Sequence, residues 1–190
     1  AEAQQRIAES EILYDAGLAV SGSLNQETAL ERILDGLQRV VGYETASVQL
    51  LRDGALEIIG ARGWPDPHEV IGFRIPVPGD NPNAVVIATR RPVRHDDVGA
   101  HYPIFRQTGN AQHIRSWLGV PLIVRDRILG MLAIDHTQPE VFTPDHERLV
   151  RSFAAQVAVA IENAGLYEDQ RLATERRELM YQISRDINAS

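Results

Sequence analysis

The chain has 190 residues, 44% of them hydrophobic, and a formal net charge of −7, enough for one core of ordinary size. It has no cysteine, which excludes disulfides, thiolate metal sites, thiol catalysis and thioether attachment of a cofactor. All nineteen basic residues are arginine, so Schiff-base chemistry and a P-loop lysine are excluded as well. Their scatter along the chain argues against a nucleic-acid footprint.

The apolar runs fall short of a membrane span, and the first residues carry no signal-peptide pattern. The expectation is a soluble, cytoplasmic, acidic domain with no membrane contact.

Residues 4–21 read as a helix with Ile7, Leu13, Tyr14, Leu18 and Val20 as its apolar contacts. The stretch Ser21-Gly22-Ser23 breaks it, and Asn25 is placed to cap the next helix. In that helix Leu30, Ile33, Leu34, Leu37, Val40 and Val41 share one face, and Gly42 stands where a left-handed cap ends a helix. Residues 45–51 and 55–61 predict two strands joined by the hairpin signal Arg52-Asp53-Gly54.

Gly63-Trp64-Pro65-Asp66-Pro67 interrupts the pattern, and residues 71–75 read as a short strand. Asn81 then caps a helix with Pro82 in its first position, carrying Val85, Val86 and Ala88 until Arg91-Pro92 stops it. Val93 to His95 predicts a brief strand. Residues 96–114 show no period, and a loop that long inside a compact domain is usually functional or mobile.

The most informative stretch is Ser116 to Tyr167. Ser-Trp-Leu-Gly-Val-Pro-Leu-Ile-Val (116–124) and Ile-Leu-Gly-Met-Leu-Ala-Ile-Asp-His (128–136) predict two strands across the polar turn Arg125-Asp126-Arg127. Phe142-Thr143-Pro144-Asp145 opens a long helix, with Thr143 as its cap and Asp145 and Glu147 in its positive first turn. Val150, Phe153, Val157, Ala160, Ile161 and Ala164 carry its apolar stripe. Polarity dominates from Glu168 to Glu178, yet nothing breaks the helix, and Leu179, Met180, Ile183 and Ile187 restore the spacing. Unbroken, it is about 45 residues and roughly 68 Å long. That exceeds what one small domain covers, so a second subunit is the natural partner for the projecting half.

The order Glu178-Leu-Met-Tyr181, with Ile187 and Ser190, repeats Glu11-Ile-Leu-Tyr14, with Val20 and Ser23, at a constant offset of 167 residues. Chance accounts for so short a match on one reading. On the other, a second tandem copy of the domain begins where the sequence stops. The division expected is residues 1–22 as an N-terminal helix, 23–168 as the domain, and 169–190 as a linker helix or the start of that copy.

No nucleophile–base–orienter set is found. Ser47, Ser116 and Ser152 lack a G-x-S-x-G elbow, and neither G-x-G-x-x-G nor a Walker sequence occurs. His95-Asp96-Asp97 with His101 and His113 is the nearest approach to a metal cluster. With no i,i+4 histidine pair, these read as ordinary loop polarity, and no metal or catalytic residue is assigned.

The strand Trp117-Leu-Gly-Val-Pro-Leu122, the strand Ile128-x-Gly130-x-Leu132-x-Ile134 and the helix start Phe142-Thr-Pro with Leu149 resemble the closing ββα unit of GAF domains. GAF domains are small-molecule sensing and dimerising modules of bacterial signalling proteins. The resemblance covers roughly residues 10–168. It implies an α+β fold with a central antiparallel sheet of five or six strands. The terminal helices pack on one face and the variable loop covers the other.

It also implies a ligand pocket between sheet and loop, mapping onto Phe73, Ile75, Val85, Tyr102, Phe105, Gln112, Arg115, Trp117 and Ile134. Apolar walls with a few polar groups suit a small molecule; on the alternative reading Phe105 and Trp117 simply close the core. The Asn-Lys signature of cyclic-nucleotide binders fails without lysine. Covalent bilin attachment and methionine-sulfoxide reduction fail without cysteine. Some relatives bind haem, but no haem ligand is assigned here, and the cofactor stays unknown.

The function expected is a non-enzymatic sensor, of the kind attached to a histidine kinase or similar output. It would form a parallel homodimer through its terminal helices and pass a change along the last one to an output domain in the same polypeptide. The alternatives are a ligand-free dimerisation module and a non-thiol enzyme of unknown reaction.

Overall fold

A computed structural model describes residues 26–107 and 111–188. The proposed helix over 4–21, the Asn25 cap and the first half of the internal repeat lie outside the described residues. Helix α1 (Gln26–Val41) is followed by strands β1 (Thr45–Arg52) and β2 (Ala55–Arg62), a 3-10 turn (Pro67–Glu69) and β3 (Arg74–Pro76). Helix α2 (Pro82–Thr89), β4 (Val93–His95) and the short helices α3 (Val98–His101) and α4 (Ile104–Gln107) come next. The chain closes with β5 (Ser116–Val124), β6 (Arg127–His136) and α5 (Pro144–Asn188).

The six strands form one antiparallel sheet in the order β3-β2-β1-β6-β5-β4. β1 and β6 lie at its centre and are buried on both faces, so apolar and polar residues alternate between two covered sides. On one side α1 and α5 pack against Ala46, Val48, Leu118, Val120, Leu132 and Ile134. Leu30, Ile33, Leu34 and Leu37 form the buried stripe of α1, as the spacing predicts. Gly42, at φ 67°, ends that helix with its N–H bonded to the Gln38 carbonyl.

α5 begins as its sequence signals: the Thr143 hydroxyl accepts the His146 N–H at 3.2 Å and Pro144 fills the first position. Val150, Phe153, Ala154, Val157 and Ala158 are buried under the sheet. From Gly165 onward every described side chain of α5 is exposed, yet the helix runs to Asn188, 45 residues in all. Among the described residues, no helix is long and apolar enough to cross a membrane.

Two expectations are corrected. The strand read over 71–75 is confined to Arg74–Pro76. Before it, Asp66 caps the 3-10 turn at Pro67, and Gly72 adopts φ 84°, which an extended strand does not allow. The aperiodic stretch 96–114 is not wholly irregular either, since it contains α3 and α4. Each is four residues long, too short to show a helical period.

Candidate functional site

The second face of the sheet carries a separate, smaller core that includes Leu56, Val86, Val98, Ile114, Trp117, Met131 and Ala133. Within it lies a cavity of about 330 Å³, of the size that small-molecule sites have. Its floor is Ser47 and Gln49 from β1, Ile58 from β2, Ile75 from β3, Trp117 from β5, and Ala133 and Asp135 from β6. The roof comes from distant parts of the chain: Trp64, Glu69, Val70 and Phe73, then Asn81 and Asn83 at the start of α2. Ile104, Phe105, Ala111 and Ile114 complete it.

The period of two in β1 makes this floor polar. Ala46 and Val48 point at the helices, so Thr45, Ser47 and Gln49 turn to the other side, all buried. They are joined in a relay: Asn83 donates to Gln49 Oε1 at 2.9 Å, and Gln49 Nε2 donates to the Ser47 hydroxyl at 2.9 Å. Asn81 anchors the roof. Its side-chain oxygen accepts the Ala84 N–H at 2.9 Å and its amide donates to the Pro76 carbonyl at 3.2 Å. Asn81→Ala is expected to lower stability by about 1 kcal/mol, read as an earlier urea midpoint.

Asp135 is the unusual group. It sits opposite Trp117 on β5 and Thr45 on β1, and is only 4% exposed. The Thr45 hydroxyl donates to Oδ2 at 3.1 Å, while Oδ1 is buried and meets no hydrogen-bond donor among the described residues. Burial pushes this carboxyl up from 3.8 to about 7, against the smaller pull of the Thr45 hydrogen bond. Trp117 lies across Gly119, where a methyl group would overlap its indole and come within 2.7 Å of the Met131 methyl. The glycine of the W-x-G strand thus makes room for the ring that floors the cavity.

Of the residues proposed from sequence, Phe73, Ile75, Phe105 and Trp117 line this cavity, Phe73 at a half-open edge. The others do not. Ile134 is one residue out of phase with Asp135 and packs on the helix side. Val85 faces solvent from α2, whereas its neighbour Val86 is buried. Arg115 is held at the surface by Asp97, at 2.6 Å, and Gln112 is exposed. Tyr102 packs edge-on against the His95 ring, 5.3 Å between centroids, beside the cavity rather than in its wall.

Ser47, Gln49, Asn81, Asn83 and Asp135 were not among those proposed. For Ser47, Gln49 and Asp135 the signal is a polar residue on the alternate face of a strand otherwise too apolar to face water, whereas Asn81 and Asn83 belong to the start of α2 and carry no such pattern.

The histidines and aspartates of the 95–113 stretch scatter. His95 and His101 rings lie 5.0 Å apart, Asp97 is paired with Arg115, and His113 leans on Trp64. Among the described residues no three of histidine, aspartate and glutamate are grouped so as to hold a metal ion. Among the described residues no histidine lines the cavity, and the Ser47 hydroxyl is bonded by an amide rather than by a base. The cavity thus combines apolar walls, a short amide relay and one buried carboxyl group, bonded by Thr45 through one oxygen only among the described residues.

The family model for the GAF domain matches residues 25–161. The chain belongs to the GAF family. A GAF domain from a phosphoenolpyruvate-protein phosphotransferase of Coxiella burnetii superposes with a TM-score of 0.72 at 21% identity, over 86% of this chain and 98% of that one. The free methionine-R-sulfoxide reductase of Neisseria meningitidis, in complex with its substrate, gives 0.68 at 18% identity, over 84% and 91%. A segment of a methyl-accepting chemotaxis protein gives 0.66 at 19% identity, over 80% and 98%. At these identities the likeness is one of fold. GAF domains serve as regulatory sensor domains in signalling proteins.

Proposed function

We propose that this GAF domain is the sensing module of a signalling protein, binding a small molecule in the cavity and passing a conformational change along α5 to an output domain such as a histidine kinase. The observation that carries this reading is the division of labour across one sheet. The cavity occupies one face, and the helix that leaves the domain is seated on the other. β6 joins them: Asp135 faces the cavity, while Leu132 and Ile134, its neighbours in the strand, pack in the core with Phe153 and Val157 of α5. A ligand that favours one position of β6 thereby favours one seating of α5, by no more than its differential affinity for the two.

The second element is a parallel homodimer. Leu172, Leu179 and Ile183 fall at i, i+7 and i+11 on α5, one face of the helix, and all are exposed, as is Met180. An isolated helix gains nothing from these side chains, whereas a paired one buries them. The sparse anchors, with the Arg171–Glu175 ion pair beside Leu172, fit a seam that shifts between two packings.

Sedimentation of the full chain should give a two-chain species, and truncation after Tyr167 should give a one-chain species that keeps its melting transition. A full chain that stays monomeric at high concentration contradicts the dimer.

A further inference from the structure

The chemistry of the cavity narrows its ligand. We propose that the occupant is a small organic cation without an anionic group, an ammonium, amidinium or guanidinium whose N–H donors meet the Asp135 carboxylate while its apolar part lies against Trp64 and Trp117. This inference rests on the ligand-sensing reading above and names the class of ligand.

Three observations converge. Asp135 Oδ1 is buried and, among the described residues, unpartnered, in a residue lining the cavity; a carboxylate oxygen so placed accepts a charge-assisted bond from any N–H that reaches it. Among the described residues the charged groups of the lining are Asp135 and Glu69, with no arginine or histidine, so an anionic group on the ligand would meet side-chain charge of its own sign. Four aromatic residues, Trp64, Phe73, Phe105 and Trp117, share the lining, and ring faces attract cations and exclude carboxylates. The acidic chain as a whole, at −7, adds a field of the same sign.

Burial that holds the carboxyl near neutrality is relieved when a cation supplies the missing partner. A neutral ligand accepts a hydrogen bond from a protonated Asp135 and packs on the same rings, but it gains no charge attraction from Glu69 or from the ring faces.

The chain carries its own reporters. Both of its tryptophans line the cavity, so their emission reads this site. The test titrates the full chain at mildly alkaline pH with matched triads: cyclohexylamine, cyclohexanol and cyclohexanecarboxylate, then benzylamine, benzyl alcohol and benzoate, with butylguanidine added. The amines and the guanidine should shift emission saturably and raise the melting temperature, while the alcohols and carboxylates bind at least about tenfold more weakly. Asp135→Asn should weaken amine binding by about ten- to hundredfold, with a cooperative melting transition showing that the variant is folded.

Alcohol or carboxylate binding as tight as the amine, or amine binding untouched by Asp135→Asn, overturns the cationic class and leaves the sensing reading in place. If no compound of any class moves the emission or the melting temperature, both fail.

Discussion

Asp135→Asn should stabilise the protein relative to its parent, and the gain should grow by about 3 kcal/mol between about pH 5 and about pH 9. The Asp135 carboxyl is raised in the fold from 3.8 to about 7 by burial. A raised folded value means that the folded state holds a proton over a range where the unfolded state has lost it. Stability from this group is therefore fully present below about 4 and is lost as pH rises through about 7.

Asparagine keeps the shape and still accepts the Thr45 hydroxyl, but carries no charge to desolvate. Urea unfolding of both proteins across this range checks it, and the difference between them cancels most other groups. His95 acts in the opposite sense: burial, reinforced by His101, lowers its folded value, so its contribution is lost as pH falls. It is present in both proteins. Parallel pH profiles for parent and variant would show that Asp135 is not buried as described.

Gly130→Ala should cost roughly 3 kcal/mol or more. Gly130 is the central glycine of the I-x-G-x-L-x-I strand, paired with Leu50 on β1 and Leu122 on β5. A methyl group there overlaps the Gln49 carbonyl oxygen and stands 2.9 Å from the Leu50 Cα. Both are backbone atoms of the central strand, so neither can yield without opening the β1–β6 ladder. Because Gln49 is also the middle of the amide relay, residual folded protein should show altered tryptophan emission from the cavity. An unchanged urea midpoint would mean that the two strands are not in such close approach.

Where sequence reading succeeded, a single element carried its own signal. α1 and α5 announce themselves by a helical stripe with a cap at one end, Gly42 or Thr143. The β1–β2 hairpin turns on Asp53 and Gly54, both at positive φ, as a two-residue turn requires. The β5–β6 turn has the same backbone with Arg125 and Asp126, and its polarity alone marked it. The cavity was legible only in part. Phe73, Ile75, Phe105 and Trp117 are apolar residues of the segments the family resemblance points to, and they line it.

The polar floor was missed for a physical reason. Alternation of polar and apolar residues in a strand ordinarily marks one face as solvent. Here that face is roofed by residues from 64–83 and 104–114, and nothing local to β1 or β6 encodes a roof supplied from so far along the chain. Ile134 lies on the helix side rather than in the cavity wall by the same token, since a one-residue offset in a strand changes faces.

The most direct test of the account is hydrogen–deuterium exchange of the full chain, alone and saturated with the tightest-binding compound of the amine, alcohol and carboxylate series. Coupling through β6 predicts slower exchange in the cavity roof and a change in exchange along α5 beyond Gly165. Protection confined to the roof and floor, with α5 exchanging identically in both states, would contradict it.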